Sequence, residues 1–475
     1  MLTNKSLLIL TLLLIVSALS AWSITDSYFG NRYGALDARA FAMGSATAYN
    51  DFRPAAFTAN PANLTLMKKQ FGLQGTALIN RSEDTRMLPL YNSFDNYIDD
   101  AVYASNINAF NSFAGSAFIA ARIGCFGLGV GAYNKPMLSF DGKYREEIRN
   151  NRNTDDDGYP EKIAQNEINN EGSLDQTGLV LSMGLDLGQY SSINIGVDYS
   201  LLAGDVSQSK TIRWSDWAIN TVGAYHLPEY TDLNEWELEG NQLKLGTSLR
   251  LNPRFGLAAT YKMKTDLTRT GYMSHYREAY LNAGQDSTLT MIDDDYTLPS
   301  EYRLGFSYFP RNVMRTVFSM DVEMVRYSEV MDVFEDVYNF YAGVEHHVEN
   351  RIPMRLGFQA VNQWFFTTAN DIDSAGNDIV LYSTKKVLTP MITAGSAVQI
   401  MKNVVLDLGF GYSWREYEAL DMFGDAYYND KTYTGQSTYQ LWPTSYINLQ
   451  NRGWENPDKV KENFITLNAG ISYSW

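Results

Sequence analysis

Asn153, Asp155 and Asp157 set side-chain oxygens at alternate positions ahead of Gly158, which is how a calcium-binding loop begins. The pattern fails at its far end. Its twelfth position is Ala164, where such a loop needs a bidentate glutamate, so a solvated acidic loop is the favoured reading. The histidines His226, His275, His346 and His347 offer no ligand set, because the adjacent pair would point to opposite faces of a strand. The chain has no P-loop, no Gly-x-Ser-x-Gly elbow and no paired carboxylates at catalytic spacing. Cys125 is the only cysteine and cannot form an internal disulfide. The chemistry expected is therefore binding and passage, with no enzyme activity, no cofactor and no metal centre.

The charges with the most regular context are Arg303, Arg315, Asp321, Glu323, Arg355 and Asp407. Each falls on the polar side of a segment in which apolar and polar residues alternate. On one side of a strand they would form a hydrogen-bonded, ion-paired lining, or tune what passes through a lumen. What must position them is a sheet. In the last thirteen residues, Ile465, Leu467, Ala469, Ile471, Tyr473 and Trp475 share one face, and Thr466, Asn468, Gly470, Ser472 and Ser474 share the other. A greasy face opposite a small polar one suits a barrel with lipid outside and a wet interior.

The same alternation runs through hairpins at about 177–203, 241–270, 301–329, 336–362 and 389–418, with weaker strands at about 70–81, 112–123 and 126–141. The total is about fourteen strands, an even number that returns both chain ends to one side. Short turns fall at one end. Longer segments, at about 82–111, 142–175, 207–240, 271–300, 363–388 and 419–462, fall at the other. This is the arrangement of bacterial outer-membrane barrels, with short turns in the periplasm. The fold class expected is thus all-β, an antiparallel transmembrane barrel over residues 70–475.

Residues 1–23 read as an export signal. Lys5 is followed by the short apolar run Leu7 to Val16 and then by small residues. The formal charge of −16 argues against nucleic acid. The 32 tyrosines and 9 tryptophans suit aromatic girdles at two membrane interfaces.

Ten glycines fall on the inward side: Gly184, Gly196, Gly246, Gly256, Gly305, Gly343, Gly357, Gly395, Gly409 and Gly470. Most lie near the short-turn end of their strands and so form a belt. Glycine weakens a strand, and it marks places where backbone bends or another chain comes close. Two readings stand. The belt makes room for a plug, or it relieves curvature in a closed sheet. The candidate plug is residues 24–69, rich in alanine and glycine and without alternation.

At these residues the chain resembles the FadL-type family of outer-membrane transporters for long-chain fatty acids and aromatic hydrocarbons. An Ala-Arg-Ala…Met-Gly stretch containing Arg39, Met43 and Gly44, followed by Asn60-Pro61-Ala62, is similar to that family's N-terminal hatch. Leu298-Pro299…Leu304-Gly305 and Arg355-Leu356-Gly357 resemble two of its strands, and the terminal Ser-Tyr-Ser-Trp resembles a signal to the barrel-assembly machinery ending on Trp475. The resemblance implies a monomeric fourteen-stranded barrel plugged by a hatch. It implies passive uptake of a hydrophobic small molecule, which leaves sideways into outer-membrane lipid through a kinked third strand. Here that strand carries Gly127, Gly129, Gly131 and Pro136, which either open the wall or sit where pairing ends at the membrane rim. Uptake of this kind expects an apolar lumen surface leading to Pro136. A partner in protein secretion or surface assembly would instead present a protein-binding outer surface, and a general porin an open aqueous lumen. Trp214, Trp217, Trp236 and Trp442 lie in outer segments and fit several of these roles.

Overall fold

Alternation of β-branched and aromatic residues with small polar ones gives fourteen strands, and these join in a closed antiparallel ring. The computed structural model describes residues 29–35, 37–50, 52–91, 96–154, 160–216, 230–277, 285–349, 352–372, 378–419, 438–442, 445–448 and 458–475. The export signal, Asp155 to Gly158 of the acidic loop, Trp217, His226 and most of 419–462 lie outside the described residues, as do the side chains of Trp214 and Trp442.

In chain order the ring consists of β1 (Phe71–Tyr91), β2 (Tyr97–Ile123), β3 (Phe126–Ser139, resuming as Gly142–Thr154), β4 (Pro160–Asp186), β5 (Ser192–Trp214), β6 (Tyr230–Asn252), β7 (Phe255–Lys262, resuming as Thr265–Arg277), β8 (Asp286–Leu298, resuming as Glu301–Tyr308), β9 (Val317–Val325), β10 (Val337–Val348), β11 (Ile352–Ile372), β12 (Asp378–Met401), β13 (Val404–Ala419) and β14 (Asp458–Ser474). Each strand pairs with the next. β14 also pairs with β1 from Gly72↔Ser474 to Met87↔Lys459, which closes the ring. The final residue completes the seam, since Trp475 N donates to Phe71 O at 3.0 Å and Trp475 O accepts from Gln70 N at 2.9 Å. Closure removes the two edge strands that an open sheet would expose to lipid.

The outward face is apolar and bare. Leu181 is 56% exposed while its neighbour Ser182 is 5% exposed, and the same contrast runs through Leu245, Leu356, Phe410 and Leu467. No helix among the described residues is long and apolar enough to cross a membrane.

Several segments read as outer loops are strand. β4 has 27 residues, whereas about 9–11 span a bilayer. The hairpins over 82–111, 142–175, 207–240, 271–300 and 363–388 therefore continue as paired ladder far beyond the lipid zone. There the apolar face is no longer required. Tyr144, Glu146 and Asn166 point inward, and Arg145 points out with its side chain 70% exposed. Neither face is consistently apolar, which removes the alternation.

Inside the ring lies the amino-terminal segment. It holds three short helices, α1 (Ala38–Ala42), α2 (Ala56–Ala59) and α3 (Asn63–Leu66). Asp37 caps α1, accepting from Arg39 N and Ala40 N at 3.4 Å. Almost every residue from Ala38 to Met67 is buried by the surrounding barrel.

Candidate functional site

The ten belt glycines all face this segment. Gly184 faces Thr65, Gly196 and Gly246 face Asn60, Pro61 and Ala62, Gly256 faces the Tyr49 ring, and Gly305 faces Ala48. Gly343 and Gly357 meet the Met43 and Gly44 backbone, Gly395 and Gly409 meet Phe41 and Ala42, and Gly470 meets Ala38. The approach is also close at Gly44, itself at φ +65°, where a Cβ would strike Phe358 N at 2.6 Å. Asn60 is fully buried. Its amide donates to Ala48 O at 2.7 Å and Ser248 Oγ at 3.0 Å, and its Oδ1 accepts from Ala62 N at 3.1 Å, which sets the turn into α3.

The inward charges tie this hatch to the wall. Arg39 reaches Glu345 with two nitrogens, at 3.0 and 3.1 Å, and lies 3.6 Å from the Phe52 ring centre. Arg355 bridges Glu345 to Asp407, the latter at 2.8 Å, and Asp407 in turn holds Arg53 of the hatch. The result is a buried chain of alternating charge, Arg39–Glu345–Arg355–Asp407–Arg53. A second anchor is Asp321, which accepts from Thr47 N at 2.7 Å and Ala48 N at 2.9 Å and pairs with Arg303 at 2.8 Å. Glu323 accepts from Asn339 and the Tyr341 hydroxyl.

Five of the six expected inward charges are ion-paired at the packed interface with this segment or at its immediate border. Arg315 is the exception. It sits exposed in the turn between β8 and β9 at φ +46°, off the strand altogether. Strand β9 begins only at Val317, two residues later, because the turn after Pro310 is longer than its proline and asparagine suggest. Glu345 and Arg53 were missed. Glu345 lies two residues from Gly343 on the same face, and that parity was the available signal.

The wall is incomplete at β3. The β2–β3 ladder ends at Gly115↔Asn134. Beyond it Lys135, Pro136, Leu138 and Ser139 pair with β4 and no longer with β2, and Phe140 N bonds Gly172 O. Contact with β2 resumes through side chains. Asn108 brackets Lys143 at 2.7 and 2.9 Å, and Asn106 brackets Arg145 at 3.2 and 2.8 Å. Between these two joints no backbone pairing links β2 to β3 among the described residues. The freed edge of β3 is taken from inside by the strap Asn31–Arg32, which pairs with Ser139 and Leu138, while the Tyr33 hydroxyl meets Ser112 Oγ at 2.6 Å.

Gly127, Gly129 and Gly131 do not lie at this gap. They are paired on both sides, against β2 and β4, and they face Thr65, Leu64 and Phe57 of the hatch. Pro136 does lie at the gap.

Behind the gap is a chamber of about 280 Å³, reached by Pro136 and Met137. The lining is mixed, with Phe41, Leu78, Met137, Leu138 and Met391 beside charged groups. Arg32 pairs with Glu301 at 2.7 Å, Lys262 with Glu301 at 3.1 Å, and Lys244 with Asp198 at 3.2 Å. Lys135 forms no ion pair among the described residues, and its ammonium lies 5.4 Å from the Tyr133 ring centre. Apolar surface lies on the same strands nearer the long-hairpin end, in a buried cluster including Leu138, Phe140, Leu174, Leu202 and Tyr296. Phe29 lies beside it, against Tyr327 and Phe334, and its carbonyl accepts from Tyr296.

A closed membrane barrel of fourteen strands, filled by an amino-terminal hatch and broken at its third strand, defines the class. No protein-family model matches the chain, and no curated protein sequence matches it. Solved structures do. A CymD monoaromatic hydrocarbon channel aligns at TM-score 0.55 and 12% identity, over 94% of this chain and 99% of its own. A Pseudomonas aeruginosa FadL homologue gives the same values, and the P. putida toluene transporter TodX gives 0.54 and 13%, over 93% and 98%. The chain has the fold of the FadL-type transporters.

Proposed function

We propose that this protein lies in a bacterial outer membrane and takes up hydrophobic compounds passively, with amphiphiles such as long-chain fatty acids as the cargo and the β3 gap as the exit. The observation that carries the reading is that gap in backbone pairing, with Pro136 and Met137 lining the chamber behind it. Apolar clusters followed by a chamber that mixes apolar and charged groups suit a molecule with a tail and a polar head. Lys135, at the lip of the gap and without a carboxylate partner, is the group that would receive an acidic head. The strap Asn31–Tyr33 must shift for the cargo to leave. A general porin is disfavoured because the hatch fills the lumen.

The test joins the two sides of the gap. Cysteines at Ala114 and Lys135, the first facing positions beyond the ladder, are linked with a short bismaleimide in the purified protein. In liposomes loaded with a hydrophobic acceptor, the linked protein is expected to lose delivery of a labelled uncharged hydrocarbon, a cargo that does not need the Lys135 ammonium, and the unlinked double variant to keep it. Equal delivery by both would remove the gap as the exit.

A separate expectation concerns the head. Lys135→Met should weaken binding of a fatty acid about tenfold, the factor that ~1.4 kcal/mol of charge-assisted bonding supplies, and leave binding of an uncharged hydrocarbon unchanged. Calorimetry in detergent with both ligands reads the difference.

The outer hairpins give a second reading its support. They extend as regular paired strand well past the membrane, a larger surface than a small-molecule pore requires, and one that suits a partner in surface assembly.

A further inference from the structure

The short-turn end of the barrel holds a second cavity, of about 840 Å³, which the transport reading leaves without a role. Its floor is the hatch, with Arg39, Phe52 and Arg53, and its rim is built from the turns after β6 and β8. Six of its lining residues are arginines, and the one carboxylate among them is Glu345. That carboxylate is already held by Arg39 and Arg355. The three rim residues Arg254, Arg311 and Arg315 are exposed and form no ion pair among the described residues. In a chain of net charge −16 this is a local inversion of sign.

Two further observations indicate a ligand-receiving surface. His347 lines the cavity with a buried Nδ1 that has no hydrogen-bond partner. Apolar surface lines the same cavity, with Tyr190, 55% exposed, and the rings of Phe309 and Pro310 beside the arginines. The cargo does not account for these features, because a molecule that leaves through the wall above the hatch never reaches the cavity below it. Lipid headgroups do not account for them either. They surround the outside of the ring, whereas these arginines line its mouth.

We propose that this vestibule docks an acidic segment of a periplasmic protein. The guanidinium forks of Arg254, Arg311 and Arg315 would take its carboxylates in bidentate pairs, and Tyr190 and Phe309 would seat an apolar residue beside them. The volume lies within the range of sites that enclose a short segment or small ligand. The proposal rests on the transport reading only for which face is periplasmic.

The experiment uses the full chain in zwitterionic detergent and a fluorescein-labelled hexaglutamate peptide ending in leucine, with binding followed by anisotropy. The variant is R254E/R311E, two exposed turn residues outside the hatch lock. The expected result is saturable binding at low salt that weakens about tenfold or more in the variant and falls steeply as salt rises. The fatty-acid delivery of the variant should match the parent. Equal binding to parent and variant would overturn the proposal, as would no binding at low salt. So would tighter, variant-sensitive binding of short-chain phosphatidylglycerol or inorganic phosphate than of the peptide, which would make the vestibule an anion or headgroup site. Loss of cargo delivery by the parent itself would sink the transport reading and leave the peptide result standing.

Discussion

Glu345→Ala is expected to free the hatch while the barrel stays closed. The substitution leaves the Arg39 guanidinium buried with only Asn50 Oδ1 at 3.3 Å and the Phe52 ring for company, and it takes one of two carboxylates from Arg355. Breaking a buried pair from one side costs about 3–5 kcal/mol, because the remaining charge stays out of water without compensation. That cost falls on the contact between α1 and β10, whereas the ring is held by backbone ladders that Glu345's side chain does not join. Amide exchange should therefore rise across Ala38–Ala48, ion conductance in planar bilayers should increase, and the melting of the barrel should change little. The double change Arg39→Met with Glu345→Leu should be milder than Glu345→Ala, since it removes both charges. Unchanged conductance and exchange in Glu345→Ala would mean that this ion chain does not hold the hatch.

The lipid zone was readable because solvent imposes the pattern there. Leu179, Leu181 and Met183 face lipid, and Val180 and Ser182 face the packed interior, so period two survives in the sequence. Past the lipid the constraint lapses, and segments such as Lys143–Arg149 carry polar residues on both faces while still pairing as strand. The glycine belt was readable for a related reason. Glycine at an inward strand position has to be explained by neighbours, and the neighbours proved to be Ala38–Thr65. Polarity alone could not say what the inward charges touch. Asp321 and Asp407 have the same inward parity whether they meet water or a hatch, and only the tertiary arrangement shows Thr47 N, Ala48 N and Arg53 against them. The gap was half legible. Pro136 marks where β3 parts from β2, but the amides of Asn106 and Asn108 that stand in for the lost ladder look like ordinary polar strand residues.

Gly357→Val separates the two explanations of the glycine belt, and its effect should be the larger of any single change in the barrel wall. A Cβ at 357 would strike the Gly44 backbone nitrogen and the Met43 carbonyl carbon. These atoms cannot swing aside like a side chain. Gly44 N is fixed by Thr393 Oγ1 at 3.0 Å, and Gly44 is itself walled by Ala342 and Phe358. Overpacking by added methyl groups costs about 1–3 kcal/mol where side chains can yield, and a backbone contact should lie at or above the top of that range. The hatch is expected to leave its seat, giving protease access to Ala38–Met67 and a large rise in conductance. In the opposite direction, valine suits a strand better than glycine by roughly 1 kcal/mol. If the glycine serves the hatch, the same substitution in a barrel refolded without residues 29–67 should be neutral or raise the melting temperature. If it serves curvature, the ring itself should weaken with or without the hatch. A barrel lacking the hatch that is destabilised by Gly357→Val as much as the full chain would assign the belt to the bending of the sheet.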